Sequence, residues 1–333
     1  MNWIETAHKL NIFHDGHAFH LKKTDPLFKK VMRKLNAEKF ESVLSLLLPA
    51  KRIMNYTNQE FRVSNDGQVY LRGDHDPVHK IISEKLIAFS HNGLPYRSLI
   101  SFWKNLKKNP DPKVLDRGGE VYSIKDQLYG FLTKNKHPIT SDGCFIAYKH
   151  VNRNENGQLV DVKTGDFINN IGQVVQMKRK EVDTNPHNTC SSGLHVASFE
   201  YATKHYPGNV LITVLVNPRH VCAVPMDYNQ QKMRVCEYTV IGIETEEIQK
   251  LYIPNTVIFK RTRESLKRNN GFSFKDMSAS QIVSFVRNIA GEEIMFSLRS
   301  KRSIVSKAEE IFREKKLLAE PVIEEEETEL VEA

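Results

Sequence analysis

The stretch TCSSGLHVASFEYATKHY, Thr189 to Tyr206, gathers a thiol, two hydroxyls, a glycine and a histidine in one short run. Cys190 could serve as a nucleophile only with a base in hydrogen-bond reach, and His187, His195 and His205 stand close by in sequence. A structural reading competes with that one. Gly193 precedes the strand-like LHV, His195 between Leu194 and Val196 points to one strand face, and Ser198 is placed to cap a helix. Residues that are merely near in sequence do not make a triad, so the structural reading is favoured.

Cys144, Cys190, Cys222 and Cys236 form no C-x-x-C pair. They read as reduced, mostly buried thiols rather than metal ligands, and the sequence calls for neither a metal nor a cofactor.

The elements that must position these groups fall into three regions and a tail. Residues 1–136 read as mainly helical with one small hairpin, residues 17–56 being helical throughout. Asp25-Pro26 and Asp76-Pro77 open helices there, and Asn65-Asp66-Gly67 turns the hairpin FRVSNDGQVYLRG. Residues 137–250 change character. Short apolar β-type runs (GCFIAYKHV, IGQVVQM, NVLITVLV, HVCAV, CEYTVIGI) are separated by turn residues, and SFEYATKHY alone looks helical. That predicts one α+β domain with a mostly antiparallel sheet. Residues 251–318 read as a small basic helical module and residues 319–333 as an acidic disordered tail.

The 333 residues carry a formal net charge of +8, and the tail from Glu320 holds seven glutamates and no base. Removing those seven carboxylates raises +8 to +15 for the rest of the chain. Lys260, Arg261, Arg263, Lys267, Arg268, Arg299, Lys301 and Arg302 concentrate that charge and form the candidate polyanion-binding set. Its partner would be nucleic acid or an anionic membrane surface. The start MNWIETAHKL has no signal-peptide pattern, so the chain reads as cytoplasmic.

The blocks TSDGCFIAYKHVN, IGQVVQMKRKEVD, TCSSGLHVAS and PMDYNQQKMRVCEYTVIG, with FRVSNDGQVYLRG and KDQLYGFLTKNKHPIT upstream, resemble the rIIB proteins of T-even-type bacteriophages. The resemblance runs from about Phe19 to Gly242. It implies an accessory protein of the host cytoplasm that modulates lysis timing and protects against prophage-induced early lysis. It also implies an rIIA-like partner and a place at the inner face of the membrane, and it supplies no catalytic residues. In layout alone, the order Lys149 or His150, Ser191 or Ser192, Glu237 resembles ADP-ribosyltransferase-like folds, which implies an enzyme as the alternative. A nucleic-acid-binding protein working through the basic C-terminal module is the second alternative.

Overall fold

The computed structural model describes residues 1–64, 68–110, 114–115, 121–134, 137–205, 208–243, 246–268 and 300–314, together with residues 274, 279, 282–283 and 285–286. They form two compact units. The first comprises Met1–Phe145 with Asn217–Arg219 and Gln249–Tyr252; the second comprises Ile146–Val216, His220–Ile248 and the described residues from Ile253 on.

The first unit opens on strands. Strands β1 (Asn2–Glu5), β2 (Lys9–His14) and β3 (His17–Lys22) make an antiparallel meander. Its second turn is the two-residue Asp15-Gly16, both at positive φ, with His14 facing His17 across it. Asp-Gly suits that turn because glycine takes left-handed backbone without a side-chain clash. Alternation along β2 turns Leu10 and Ile12 inward. They pack with Leu21, Val31, Leu35 and Val43 beneath helices α1 (Phe28–Asn36) and α2 (Phe40–Leu47). Helix α3 (Pro49–Tyr56), the hairpin β4 (Phe61–Val63) and β5 (Val69–Leu71), helices α4 (Lys80–Asn92) and α5 (Arg97–Lys107), the short strands β6 (Val114–Leu115) and β7 (Val121–Tyr122), and α6 (Ile124–Lys134) follow.

Among the described residues, the first 136 positions thus carry seven strands beside six helices. This corrects the expectation of a mainly helical region with one hairpin. Residues 17–22 are strand, because Asp15-Gly16 lets the chain pair back on itself before the first helix begins. Asp25 does not cap α1 directly: its carboxylate accepts the Leu27 N–H at 2.8 Å in the turn ahead, and Leu27 is the N-cap. Likewise His79, not Asp76, caps α4, accepting the Ile81 N–H at 3.3 Å.

After β8 (Ile139–Thr140), which closes the first unit's run of elements, the second unit is built on one large sheet. Strands β9 (Phe145–Arg153), β11 (Val174–Gln176), β12 (Leu194–Ala197), β13 (Val210–Val216), β14 (Val221–Ala223), β15 (Lys232–Val235) and β16 (Glu237–Ile243) lie in the order β11-β16-β13-β9-β12-β15-β14. The short β10 (Leu159–Val160) pairs with β9. Pairing is antiparallel at β11–β16, β16–β13, β9–β12, β12–β15 and β15–β14. Each expected β run supplies a strand, and β15 is one the sequence reading did not separate from the loop before it. Helix α7 (Phe199–His205) is capped by Ser198, whose hydroxyl accepts the Tyr201 N–H at 3.2 Å. Helix α8 (Asn255–Arg268) packs on β16. The last described helix, Lys301–Glu314, buries Ile304, Val305, Ala308, Ile311 and Phe312 on one face, as its spacing predicts. The Phe312 ring meets Phe274 edge-on and stacks on Phe285.

The fold is α+β overall. Arg299 and the acidic tail at 319–333 lie outside the described residues. Among the described residues no helix is long and apolar enough to cross a membrane.

Candidate functional site

A cavity of about 220 Å³ opens in the second unit beside β9 and β12. Its walls include Lys149, Asp161, Lys163, Thr164, Ser191, Ser192, His195 and Tyr238. One wall is the loop that leads into β12, and a buried arginine holds that loop. Arg234 on β15 is fully buried, and its guanidinium donates to the carbonyls of Asp183 (2.8 Å), Asn185 (2.5 Å) and Asn188. The Ser192 hydroxyl donates to the Glu181 carbonyl at 2.6 Å, and Ser191 bonds the Asp183 carboxylate. Gly193 then enters the strand at φ +149, where a side chain would press on Val182 and Arg234. The run Ser191 to Gly193 is therefore an ordered turn that follows an arginine-clamped loop.

Lys149 projects from β9 into the cavity and donates to the His195 carbonyl at 3.1 Å. Burial is the main cause that pulls its pKa down to about 8; Asp161 opposes this and Lys163 adds to it. The Asp161 carboxylate is penalised by burial. It nonetheless sits below its ordinary value, because the N–H groups of Thr164 and Phe167, the Thr164 hydroxyl and Lys149 together outweigh that penalty. Burial, then the nearby cations led by Lys149 and Arg234, lower His195 to about 3, so its imidazole is neutral at physiological pH. A histidine this hard to protonate makes a poor general base near neutrality. The hydroxyls already bonded to backbone or to Asp183 also have internal work.

The structure thus gathers Lys149, Ser191, Ser192 and His195 around one cavity but leaves Glu237 out of its walls. The neighbouring Tyr238 lines the cavity, and successive strand residues point to opposite faces, so Glu237 faces the other way. There it accepts a hydrogen bond from Gln176 at 2.9 Å and pairs with His220 at 3.4 Å. By the same alternation His150 points away from Lys149. The late glutamate of an ADP-ribosyltransferase-like layout, Glu237, therefore does not converge with Lys149 and Ser191. Cys144, Cys222 and Cys236 are buried, and Cys190 is the exposed exception to the mostly buried thiols that the sequence predicts.

Lys260 is exposed and Arg261 half-buried on α8, and Lys301 and Arg302 are exposed on the last described helix. The side chains of Arg263, Lys267 and Arg268 lie outside the described set. Among the described residues no group of three or more His, Cys, Asp or Glu side chains is arranged to hold a metal ion. Sequence reasoning missed Arg234 and Asp161. Nothing local marks a strand arginine as buried, whereas Thr164-Gly165-Asp166 has the composition of a turn and belongs to the loop that wraps Asp161.

An antiparallel α+β unit with an arginine-clamped loop and a small polar cavity does not by itself define a reaction class. The comparisons define a family. The family described as Bacteriophage T4 protein rIIB matches residues 4–251, and the chain belongs to it. It is 28% identical over 250 residues to Protein rIIB of Enterobacteria phage T4, covering 74% of each chain. No solved structure matches it.

Proposed function

We propose that this chain is an accessory protein that modulates host lysis timing and protects against prophage-induced early lysis. It acts by binding rather than turnover, with an rIIA-like partner at the anionic inner face of the host membrane. The observation that carries this reading is the family match across residues 4–251, which takes in most of the first unit and the sheet of the second. The failure of Glu237 to share a cavity with Lys149 and Ser191 supports binding over ADP-ribosyl transfer. The cations of α8 and of the last described helix supply the membrane contact, each adjacent lysine or arginine contributing about 1 kcal/mol near an anionic surface.

The test is complementation of an rIIB-deficient phage, scored as plaques on a host that carries the excluding prophage. The wild-type chain restores plaques; a Lys260→Glu, Lys301→Glu, Arg302→Glu variant of unchanged melting temperature does not. The same substitutions release the protein from vesicles containing phosphatidylglycerol, as does raised salt. Wild-type protein that ignores such vesicles at low salt but binds duplex DNA with a steep salt dependence would overturn the membrane reading in favour of nucleic acid.

A further inference from the structure

Glu237, which the cavity excludes, belongs to a second cluster in the same unit. His220 lies between it and a thiol: Nε2 is 3.4 Å from the Glu237 carboxylate and Nδ1 is 3.5 Å from the Cys236 sulfur. Arg179 directs an N–H at the same sulfur across 3.8 Å while its other arm donates to the Val221 carbonyl at 2.8 Å. The Cys222 thiol has one hydrogen and two acceptors within reach, the His220 carbonyl at 3.4 Å and the Cys236 sulfur. Met177 and Val182 pack around the two thiols.

One guanidinium and one imidazole nitrogen thus converge on one sulfur beside the Cys222 thiol, with a carboxylate behind the histidine to orient it. A thiolate is the nucleophilic form of cysteine, and such surroundings stabilise it. The hydrogen bond from Cys222, joined by His220 and Arg179, outweighs burial and holds the Cys236 thiol well below its ordinary range; the same bond pushes Cys222 up. Cys236 keeps 7% of its surface exposed while Cys222 keeps none, which favours small reagents over bulky ones.

We propose that Cys236 is a hydroperoxide-reactive thiolate with Cys222 as its resolving thiol. In the first step the Cys236 sulfur attacks the distal oxygen of the hydroperoxide. An S–O bond forms, the O–O bond breaks, and the departing alkoxide (or hydroxide) takes up the proton that the Cys236 thiol gave up, relayed through the His220 ring. The sulfur is oxidised by two electrons to a sulfenic acid and the peroxide is reduced to the alcohol or water. The Cys222 sulfur then attacks that of Cys236. An S–S bond forms, the S–O bond breaks, and the hydroxyl leaves with the Cys222 proton as water. In this scheme His220 carries the proton, Arg179 is a positioning residue, and Glu237 orients His220.

The experiment exposes the full chain to substoichiometric hydrogen peroxide, quenches it into denaturant with N-ethylmaleimide, and maps the peptides without reduction. A Cys222–Cys236 cross-link forms about tenfold or more faster than exposed Cys190 is oxidised, although exposure alone favours Cys190. In Cys222→Ser the sulfenic acid accumulates on Cys236, trapped by dimedone added with the denaturant. His220→Gln and Arg179→Met each slow Cys236 oxidation about tenfold at unchanged melting temperature. Cys190 oxidised ahead of Cys236 in the wild-type chain would overturn the proposal whatever the variants do. So would an unchanged Cys236 rate in both folded variants.

Discussion

Replacing Gly193 by alanine should destabilise the second unit selectively, and the size of the effect follows from two features of the turn. At φ +149 the backbone occupies a region that side chains rarely tolerate, a strain of about 1–3 kcal/mol. The new methyl group would also lie 3.0 Å from Val182 Cγ1 and 3.1 Å from Arg234 Cδ. Arg234 cannot withdraw without surrendering carbonyls it holds at Asp183, Asn185 and Asn188, so overpacking adds about 1 kcal/mol. Together the loss is about 2–4 kcal/mol. Tryptophan fluorescence is the wrong assay, because Trp3 and Trp103, the two tryptophans of the chain, both belong to the first unit. Urea titration with pulsed thiol labelling reads each unit separately: Cys222 is buried in the second and Cys144 in the first. The Cys222 midpoint should fall while that of Cys144 holds. An alanine variant whose Cys222 midpoint matches the wild type would refute both the strain and the close approach.

Three further outcomes follow from the same site. Arg234→Met leaves three carbonyls without their donor and should cost about 3 kcal/mol or more, with faster proteolysis within residues 183–193; unchanged cleavage there would show that the loop needs no clamp. His195 titrates at about 3 in the folded chain against 6.5 as its ordinary value, so the unfolded chain binds more protons between those limits. Stability should therefore fall as pH drops from about 6.5 toward 3, by at most about 1.4 kcal/mol per pH unit, and His195→Leu should flatten that slope in urea titrations at successive pH values. Ser198→Ala removes the cap of α7 and should lower stability by about 1 kcal/mol, read as a reduced urea midpoint of the second unit.

Period and turn chemistry were local enough to read directly. The short apolar runs of β9, β11, β13, β14 and β16 between turn residues, the Ser198 cap and the buried face Ile304, Val305, Ala308, Ile311 and Phe312 each follow from local length, flanking turns or spacing. The Asp15-Gly16 hairpin signal is equally local, a two-residue turn between two strand-forming runs. Family membership was legible too, because CSSGLHV and PMDYNQQKMR are specific strings. What no local pattern could supply was which residues meet. Whether Glu237 joins Lys149 depends on strand order and on which face each residue takes, and one step of alternation sends Tyr238 to the cavity and Glu237 to His220. Arg234 reads as an ordinary polar strand residue until the loop at 183–188 folds over it and turns three carbonyls inward. Cys222 and Cys236, fourteen positions apart, become neighbours only because β14 and β15 pair edge to edge and bring the His220 carbonyl onto the Cys236 N–H at 2.9 Å. Propensity acts over a few residues of chain, whereas burial, hydrogen-bond partners and thiol chemistry depend on distances that close only when the sheet assembles.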